Sequence, residues 1–198
     1  TGAPGTFHAE KEALKVAGNY ARGASLHVTL EPCSHSGRTS PCVDSIIEAG
    51  ISEVHASIID PDSRVNGRGV EKLRAAGIKV YIGELADDSS RRMQAHIKLM
   101  KTGLPFVTVK FAASLDGKIA TSSGESQWIT GAEARDIVHS MRGETDSIMV
   151  GIGTVLADNP RLTARGEYSP VTGRQPVRVV VDSNCRTPLN SALLFEPG

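Results

Sequence analysis

The stretches GTFHAEKEAL (residues 5–14) and TLEPCSHSGRTSPC (residues 29–42) decide how this chain is interpreted. His8 and Glu10 stand at a predicted helix start, Cys33 follows a predicted strand, and Cys42 opens a predicted helix. Taken singly, each has an ordinary structural explanation, because an acidic residue is favourable near a helix N-terminus and a free cysteine packs like a small apolar side chain. Their combination indicates a metal site.

A hydrolytic zinc site needs three protein ligands and an open fourth position for water. His8, Cys33 and Cys42 provide three ligands, and Glu10 is close enough to exchange a proton with the activated water. Zinc-dependent nucleobase deaminases carry H-x-E followed by P-C-x-x-C, with the glutamate as general acid and base. Here residues 34–41 separate the two cysteines and must form a loop that returns Cys42 to a helix start. A closed structural zinc site, or two inert thiols with a solvated Glu10, are the alternatives.

The composition is that of an ordinary globular protein, with 198 residues, 39% of them hydrophobic, and a formal net charge of +0. The chain lacks the net positive charge that would indicate a nucleic-acid partner. It also has no apolar run long enough to cross a bilayer. Three cysteines without secretory features favour reduced thiols and a cytoplasmic location. The start at Thr1 and the end after LLFEPG lead us to expect a fragment of a longer chain.

Helical and strand-like segments alternate over short loops, which predicts an α/β protein with parallel sheets. Residues 1–102 form the first predicted domain, with strands in SLHVTLEP, EVHASIID and KVYIGE and an amphipathic helix over residues 87–101. The segment TGLP (residues 102–105) is a natural joint, and residues 103–198 form the second predicted domain.

In the second domain, FVTVKFAASLDGKIA (residues 106–120) predicts a strand that runs into an Asp-Gly turn. Thr130 is the expected helix cap, with Glu133 completing a capping box. DSIMVGIGTV and QPVRVVVDS predict two buried strands, the first followed by a glycine-containing turn. Asp158-Asn159-Pro160 reads as a turn.

The motifs HAE and TLEPCSHSGRTSPC, together with KFAASLDGKIA, GESQWITG and GIGTVLADNPRLTAR, resemble the bifunctional deaminase–reductase family of riboflavin biosynthesis. The resemblance runs from Thr6 to Leu194. It implies a cytidine-deaminase-like zinc domain followed by a truncated dihydrofolate-reductase-like domain, lacking segments at both ends. Zn²⁺ would be held by His8, Cys33 and Cys42, with Glu10 as the catalytic proton carrier.

The same resemblance implies the remaining site residues. NADPH would contact Ala112, Trp128, Thr154, Asp158 and Ser183, and the substrate would contact Ser126, Arg142, Leu162, Arg165, His35 and Arg38. From the residues alone, a core position is the favoured interpretation of the only Trp, and arginines are most often surface residues. Lys110 and Asp116 lie in the same neighbourhood without an assigned role.

Two positions depart from the family pattern. Ser40 precedes Pro41 where family members often have a second proline, a change expected to affect only the stiffness of the loop. Asp62 stands where an Asn is common, and it is therefore left outside the expected site.

The resemblance implies a two-step enzyme: deamination of a diaminopyrimidinone ribosylamine phosphate, then NADPH-dependent reduction of the ribosyl group to ribityl. The expected partner is this small molecule, with neither nucleic acid nor membrane, and the sequence leaves a homo-oligomer open. A nucleoside or RNA-base deaminase is the alternative enzyme, and a catalytically silent zinc-stabilised binding module is the alternative from another class. Retention of Glu10 argues against the silent module, because a structural site does not need a proton-carrying carboxylate.

Overall fold

A computed structural model of the chain describes residues 6–36, 40–168 and 174–195. The chain divides into two compact units, residues 1–108 and 109–198. The predicted joint at residues 102–105 lies a few residues before this division. Among the described residues, every helix is too short or too polar to cross a membrane.

The first unit is a parallel three-stranded sheet with strand order β1-β2-β3. Val54 of β2 pairs with Leu26 of β1 on one side and with Val80 of β3 on the other. Each strand is followed by a helical segment, as parallel pairing requires. The elements are α1 Ala9–Ala17, β1 Ser25–Leu30, α2 Cys42–Ala49, β2 Glu53–Ile58, α3 Arg68–Ala75, β3 Lys79–Ile82, α4 Ala86–Arg92 and α5 Gln94–Thr102.

The core of the first unit lies between one sheet face and the helices. Val54 and Ala56 of β2 are fully buried, as are Ile46 of α2 and Leu73 of α3. Alternate strand residues point to the opposite face, which is polar and carries Ser25, His27, Glu53 and His55. The strands predicted for this unit are confirmed.

The single helix expected over residues 87–101 is wrong in one respect. The helix is divided at Met93, which leaves helical geometry (φ −103°, ψ 13°) and is both the C-cap of α4 and the N-cap of α5. The Met93 N–H still donates to the Ser89 carbonyl, and the Met93 carbonyl accepts from Ile97 N–H, so the break changes direction with little loss of hydrogen bonding. Amphipathic periodicity alone does not reveal such a break.

The second unit contains a parallel pair of strands, β4 Ser147–Gly151 and β5 Val177–Val181. Its helices are α6 Ala132–Gly143, α7 Ile152–Asp158 and α8 Ala192–Phe195. Ile152, Val155 and Leu193 form its buried cluster, with Val150 and Val180 of the strands packed against it.

Several expectations for the second unit are wrong. The two strands are formed but are not buried, since Met149 of β4 and Val177 and Val181 of β5 are exposed. Residues 106–111 do not form the expected strand, because none of the strands in the described part of the chain pairs with them. Val107 and Val109 are exposed. The helix cap is Gly131 rather than Thr130, and no side chain caps α6. The glycine-containing segment after β4 begins α7 rather than a turn. The Asp-Gly turn is confirmed, because Gly117 N–H donates to the Ser114 carbonyl with φ +80° at Gly117.

Candidate functional site

The three predicted metal ligands meet where two helices begin and one strand has just ended. His8 is the N-cap residue of α1, Cys42 is the first residue of α2, and Cys33 lies three residues beyond β1. Their ligand atoms all lie within 4.8 Å of one another. Cys42 is fully buried, Cys33 is half-buried and His8 is exposed, so the cluster opens to solvent on the histidine side.

The distances in this cluster fit zinc. His8 Nδ1 lies 3.3 Å from Cys42 Sγ and 3.6 Å from Cys33 Sγ. Tetrahedral coordination at ordinary Zn–S and Zn–N bond lengths places such a pair of ligands about 3.5 Å apart. One nitrogen and two sulfur ligands form the donor set of a catalytic zinc site with one position left for a small molecule.

The start of α2 stabilises a thiolate at Cys33. The Cys42 N–H donates to Cys33 Sγ at 3.2 Å, and the Val43 N–H donates to the Cys33 carbonyl. The Cys42 thiol, followed by this backbone hydrogen bond, lowers the pKa of Cys33 to about 5. The same thiol–thiolate hydrogen bond, with burial, raises the pKa of Cys42. One negative sulfur is therefore already prepared for a cation.

Glu10 faces the same cluster. Its negative charge and the hydrogen bond that its carboxylate accepts from the Cys42 thiol contribute to the raised pKa of Cys42, after the Cys33 hydrogen bond and burial. Glu10 is half-buried at the second position of α1. It follows His8 by two residues, and the cluster opens to solvent on the side of His8. A carboxylate at this place can receive a proton from a molecule bound at the open position.

Lys11 connects α1 to the returning end of the cysteine loop. Although charged, it is 8% exposed, and its ammonium donates to the carbonyl and the hydroxyl of Ser40 at 2.5 and 2.6 Å. The Phe7 ring lies 5.7 Å from the ammonium. Ser40 lies two residues before Cys42, so this contact links α1, which begins after His8, to the segment that leads into Cys42.

Glu31 fixes the other end of the loop. The residue is 2% exposed, and its carboxylate accepts hydrogen bonds from the N–H groups of Asp60, Gly67, Gly69 and Val70 at 2.8–3.2 Å. Three of these donors lie at or just before the start of α3, so the carboxylate caps that helix from a distant part of the chain. Its own position, two residues before Cys33, is fixed by the same bonds.

His35, in the loop between the two cysteines, and Asp62 are two further polar residues near the cluster. The Nδ1 atom of His35 is buried without a hydrogen-bond partner among the described residues, which is what an absent ligand would leave. Asp62 is bound by Arg64 through both carboxylate oxygens, and this contact holds the pKa of Asp62 well below its usual range, with a smaller contribution from His35. Arg38, expected to contact the substrate, lies outside the described residues.

In the second unit, two residues with different predicted roles meet. Ser126 Oγ donates to Asp158 Oδ1 at 3.0 Å, at the end of α7. Asn159 follows with φ +40° and ends the helix, so the segment predicted as a turn is instead the C-terminal end of α7, with Asp158 still helical. The chain then passes to Leu162, which is buried with φ +58°.

Arg142 and Arg165 come together beside this loop. Arg142 of α6 is half-buried and donates to the Thr163 carbonyl at 3.4 Å. Burial, followed by the nearby positive charge of Arg165, lowers the pKa of Arg142. Arg165 in turn lies 3.3 Å from His139 Nε2. The half-buried guanidinium of Arg142 and the exposed guanidinium of Arg165, lying close together, favour an anionic ligand.

The remaining predicted positions are more scattered. Thr154 and Ser183 follow β4 and β5, and the carboxyl ends of adjacent parallel strands meet at one edge of a sheet, where ligands of such sheets bind. Trp128 is 71% exposed with the Arg135 guanidinium 4.5 Å from its ring centroid, so it does not fill a core. Ala112 is half-buried in the irregular segment before the Asp-Gly turn, where Lys110 and Asp116 are exposed.

Glu31 and Lys11 were missed by reasoning from the sequence. Glutamate is rarely buried unless it is paired, and Glu31 directly follows the apolar strand β1. This position was the signal that could have identified Glu31. Lys11 gave no such signal, because a lysine in the first turns of an amphipathic helix is ordinarily solvated.

Comparison with known families supports both units. Residues 1–58 match the family described as the cytidine and deoxycytidylate deaminase zinc-binding region, and residues 105–197 match the family described as the RibD C-terminal domain. The predicted fold class, a cytidine-deaminase-like domain followed by a reductase domain, is confirmed.

Curated relatives match nearly the whole chain. The riboflavin biosynthesis protein RibD of Escherichia coli is 43% identical over 98% of this chain and 55% of its own length. The protein of the same name from Aquifex aeolicus is 44% identical over 96% of this chain and 52% of its own length. The chain thus spans about half the length of the curated relatives that it matches.

Solved structures give the same result. Acinetobacter baumannii RibD has a TM-score of 0.90 at 43% identity, covering 98% of this chain and 55% of that one. A diaminohydroxyphosphoribosylaminopyrimidine deaminase/5-amino-6-(5-phosphoribosylamino)uracil reductase from Thermotoga maritima has a TM-score of 0.87 at 43% identity, covering 97% and 54%. In its motifs, its fold and its sequence, the chain is similar to the RibD riboflavin biosynthesis proteins, of which it spans about half the length.

Proposed function

We propose that the chain carries out two steps of riboflavin biosynthesis, one in each unit. The first is the hydrolytic deamination of a diaminopyrimidinone ribosylamine phosphate, and the second is the NADPH-dependent reduction of its ribosyl group to ribityl. The observation that carries the proposal is the convergence of one imidazole and two cysteine sulfurs at zinc-ligand distances beside the Glu10 carboxylate.

In the first unit, His8, Cys33 and Cys42 would hold Zn²⁺, which supplies Lewis-acid activation of water when bound. Glu10 takes the proton of the attacking water and delivers it to the departing amine, so that ammonia leaves as a neutral group. His35 and Arg38 provide polar groups on the loop between the cysteines, where the substrate would lie. The unpartnered Nδ1 of His35 supports a ligand contact there.

In the second unit, Arg142 and Arg165 would bind the substrate phosphate, with Leu162 and Ser126 completing the substrate contacts. Ala112, Trp128, Thr154, Asp158 and Ser183 would bind NADPH, which supplies the hydride when bound. The hydrogen bond between Ser126 and Asp158 joins one proposed substrate residue to one proposed cofactor residue. Such a contact suits a reaction in which substrate and cofactor must lie side by side.

We also infer a cytoplasmic location and a small-molecule partner, without nucleic acid or membrane. Cys33, Cys42 and Cys185 are all free thiols, and the balanced charge gives no attraction to polyanions. Sedimentation velocity measures whether the chain forms a homo-oligomer.

The test of the deaminase step compares wild type, Glu10→Gln and Glu12→Gln at equal zinc occupancy, with ammonia release from the ribosylamine phosphate as readout. Glu12 is the matched control, because it is an exposed glutamate only two residues further along α1. Glu10→Gln is expected to keep zinc and lose about 10²–10⁴-fold in rate, while Glu12→Gln stays at the wild-type rate. Wild type that binds zinc without releasing ammonia would contradict the proposal and favour the nucleoside deaminase or the silent zinc module.

The reductase step is tested separately with the deaminated substrate and NADPH, by the loss of NADPH absorbance. Arg165→Met is expected to raise the KM for the phosphorylated substrate about tenfold, since a hydrogen bond to a charged group contributes about 1.5–3 kcal/mol. The affinity for NADPH should not change. An equal effect on both ligands would refute the assignment of Arg165 to the substrate phosphate.

A further inference from the structure

A second group of metal-binding side chains lies on the polar sheet face of the first unit, away from the cysteines. His27 of β1 and His55 of β2 are direct register partners, and their ring centroids are 4.4 Å apart. Tyr81 of β3 occupies the same row and stacks on His55 at 4.7 Å. The parallel register therefore places two imidazoles side by side on a rigid sheet.

Glu84, which follows β3, completes the group. Its Oε2 atom lies 3.2 Å from Nδ1 of His27 and 3.2 Å from Nδ1 of His55. One ligand atom from each of the three residues lies within 4.8 Å of the other two. Two imidazole nitrogens and one carboxylate oxygen are a donor set that borderline divalent cations accept.

A second carboxylate lies beside the other ring nitrogen of His55. Glu53 Oε1 lies 3.6 Å from His55 Nε2 and is itself held by the Ser25 hydroxyl at 2.8 Å. When neutral His55 carries its single N–H on Nε2, facing Glu53, its Nδ1 nitrogen keeps a lone pair. The lone pair of Nδ1 then faces the Glu84 oxygen, and two acceptors that face each other need a proton or a cation between them. A carboxylate on the non-ligating nitrogen is also the usual surrounding of a metal-bound histidine.

We propose that His27, His55 and Glu84 form a second divalent-metal site, for a borderline cation such as Ni²⁺ or Zn²⁺. The two rings are now within 14° of parallel, so binding requires the His27 ring to turn about its Cβ–Cγ bond until both lone pairs converge. This turn breaks the stack of the His27 ring, whose side chain is 59% exposed, on His55, while His55 stays held by Tyr81 and Glu53. Water fills the remaining coordination positions. This site is independent of the deaminase and reductase reactions.

The experiment uses the chain with the cysteine cluster first loaded with one equivalent of zinc, followed by titration with Ni²⁺ in a calorimeter. One further equivalent is expected to bind, and paramagnetic Ni²⁺ should broaden the imidazole resonances of His27 and His55 but not those of His96. His55→Gln and, separately, Glu84→Gln should each raise the Kd of this equivalent at least tenfold. Glu53→Gln, which removes only the surrounding carboxylate, should raise it about tenfold to a hundredfold.

His96→Gln is the matched control and should leave the titration unchanged. His27→Gln alters an exposed side chain and keeps the test valid if His55→Gln fails to fold. The proposal is overturned if wild type binds no nickel beyond the zinc-loaded cluster. It is equally overturned if the added equivalent persists with unchanged Kd in both histidine variants.

Discussion

The two units hold their candidate sites in different ways. In the first, Cys42 is fully buried among fully buried apolar neighbours, and Glu31 and Lys11 fix both ends of the cysteine loop through buried charges. In the second, the buried cluster contains only Ile152, Val155 and Leu193 among the described residues, and Trp128 is 71% exposed. A metal centre requires ligand atoms placed to within a few tenths of an ångström, and the first unit has the packing to do this. A cofactor and a substrate offer large surfaces that can order flexible groups around them.

The largest expected difference between the units comes from one glycine in each. A Cβ on Gly69 would lie 2.2 Å from the Pro32 carbonyl oxygen, next to Cys33, while a Cβ on Gly153 would meet no atom within 4 Å. Gly69→Ala should lower the free energy of unfolding of the first unit by about 3 kcal/mol or more, because the overlap is with backbone. Gly153→Ala should be neutral or stabilising by up to about 1 kcal/mol, because alanine favours a helix. Urea unfolding followed by far-UV circular dichroism measures both.

If the two alanine variants unfold at the same urea concentration as wild type, the close packing of α3 on the Pro32–Cys33 segment does not stabilise the first unit. The comparison between the units would then have lost its main support.

A smaller effect is expected for Glu31→Gln. The substitution replaces one carboxylate oxygen with an NH₂ group, which cannot accept from the backbone donors now bound at 2.8–3.2 Å. Leaving buried donors without an acceptor should destabilise the first unit by about 1–3 kcal/mol, and zinc affinity should fall with it. Glu12→Gln, on the exposed face of α1, is the control. Competition with a chromophoric chelator measures the zinc affinity, and an unchanged value in Glu31→Gln would show that Glu31 does not position Cys33.

The smallest effect is expected for Lys11→Met. The substitution keeps the length and apolar body of the side chain and removes the two hydrogen bonds to Ser40. A loss of about 1 kcal/mol corresponds to a zinc Kd roughly fivefold higher. Lys15→Met, at an exposed position one turn later on α1, should leave the Kd unchanged. Equal effects in the two variants would point to the overall charge rather than to the contact with Ser40.

The sequence allowed the strands of the first unit to be predicted, and its helices apart from the break at Met93. It also indicated the three side chains that the structure brings together, because each stands at a helix start or just beyond a strand end. It did not allow the role of Glu31 to be predicted, since the donors bound by its carboxylate lie 29–39 residues further along the chain. The strand expected at residues 106–111 shows the same limitation, because alternation of apolar residues does not provide the neighbouring strand that a sheet requires. The pairing of Arg142 with Arg165 likewise depends on the loop around Leu162, which no local pattern determines.

The carboxylate of Glu31 has a consequence for the dynamics of the first unit. It joins the segment that contains Cys33 to the start of α3, so neither can open while the other remains closed. Amide hydrogens of Gly69 and Val70 should therefore exchange with solvent only in the cooperative unfolding of the whole unit, at a rate set by its global stability. Two amides on a helix remote in sequence from the cysteines would thus report, by mass spectrometry or NMR, whether the frame of the metal cluster is intact.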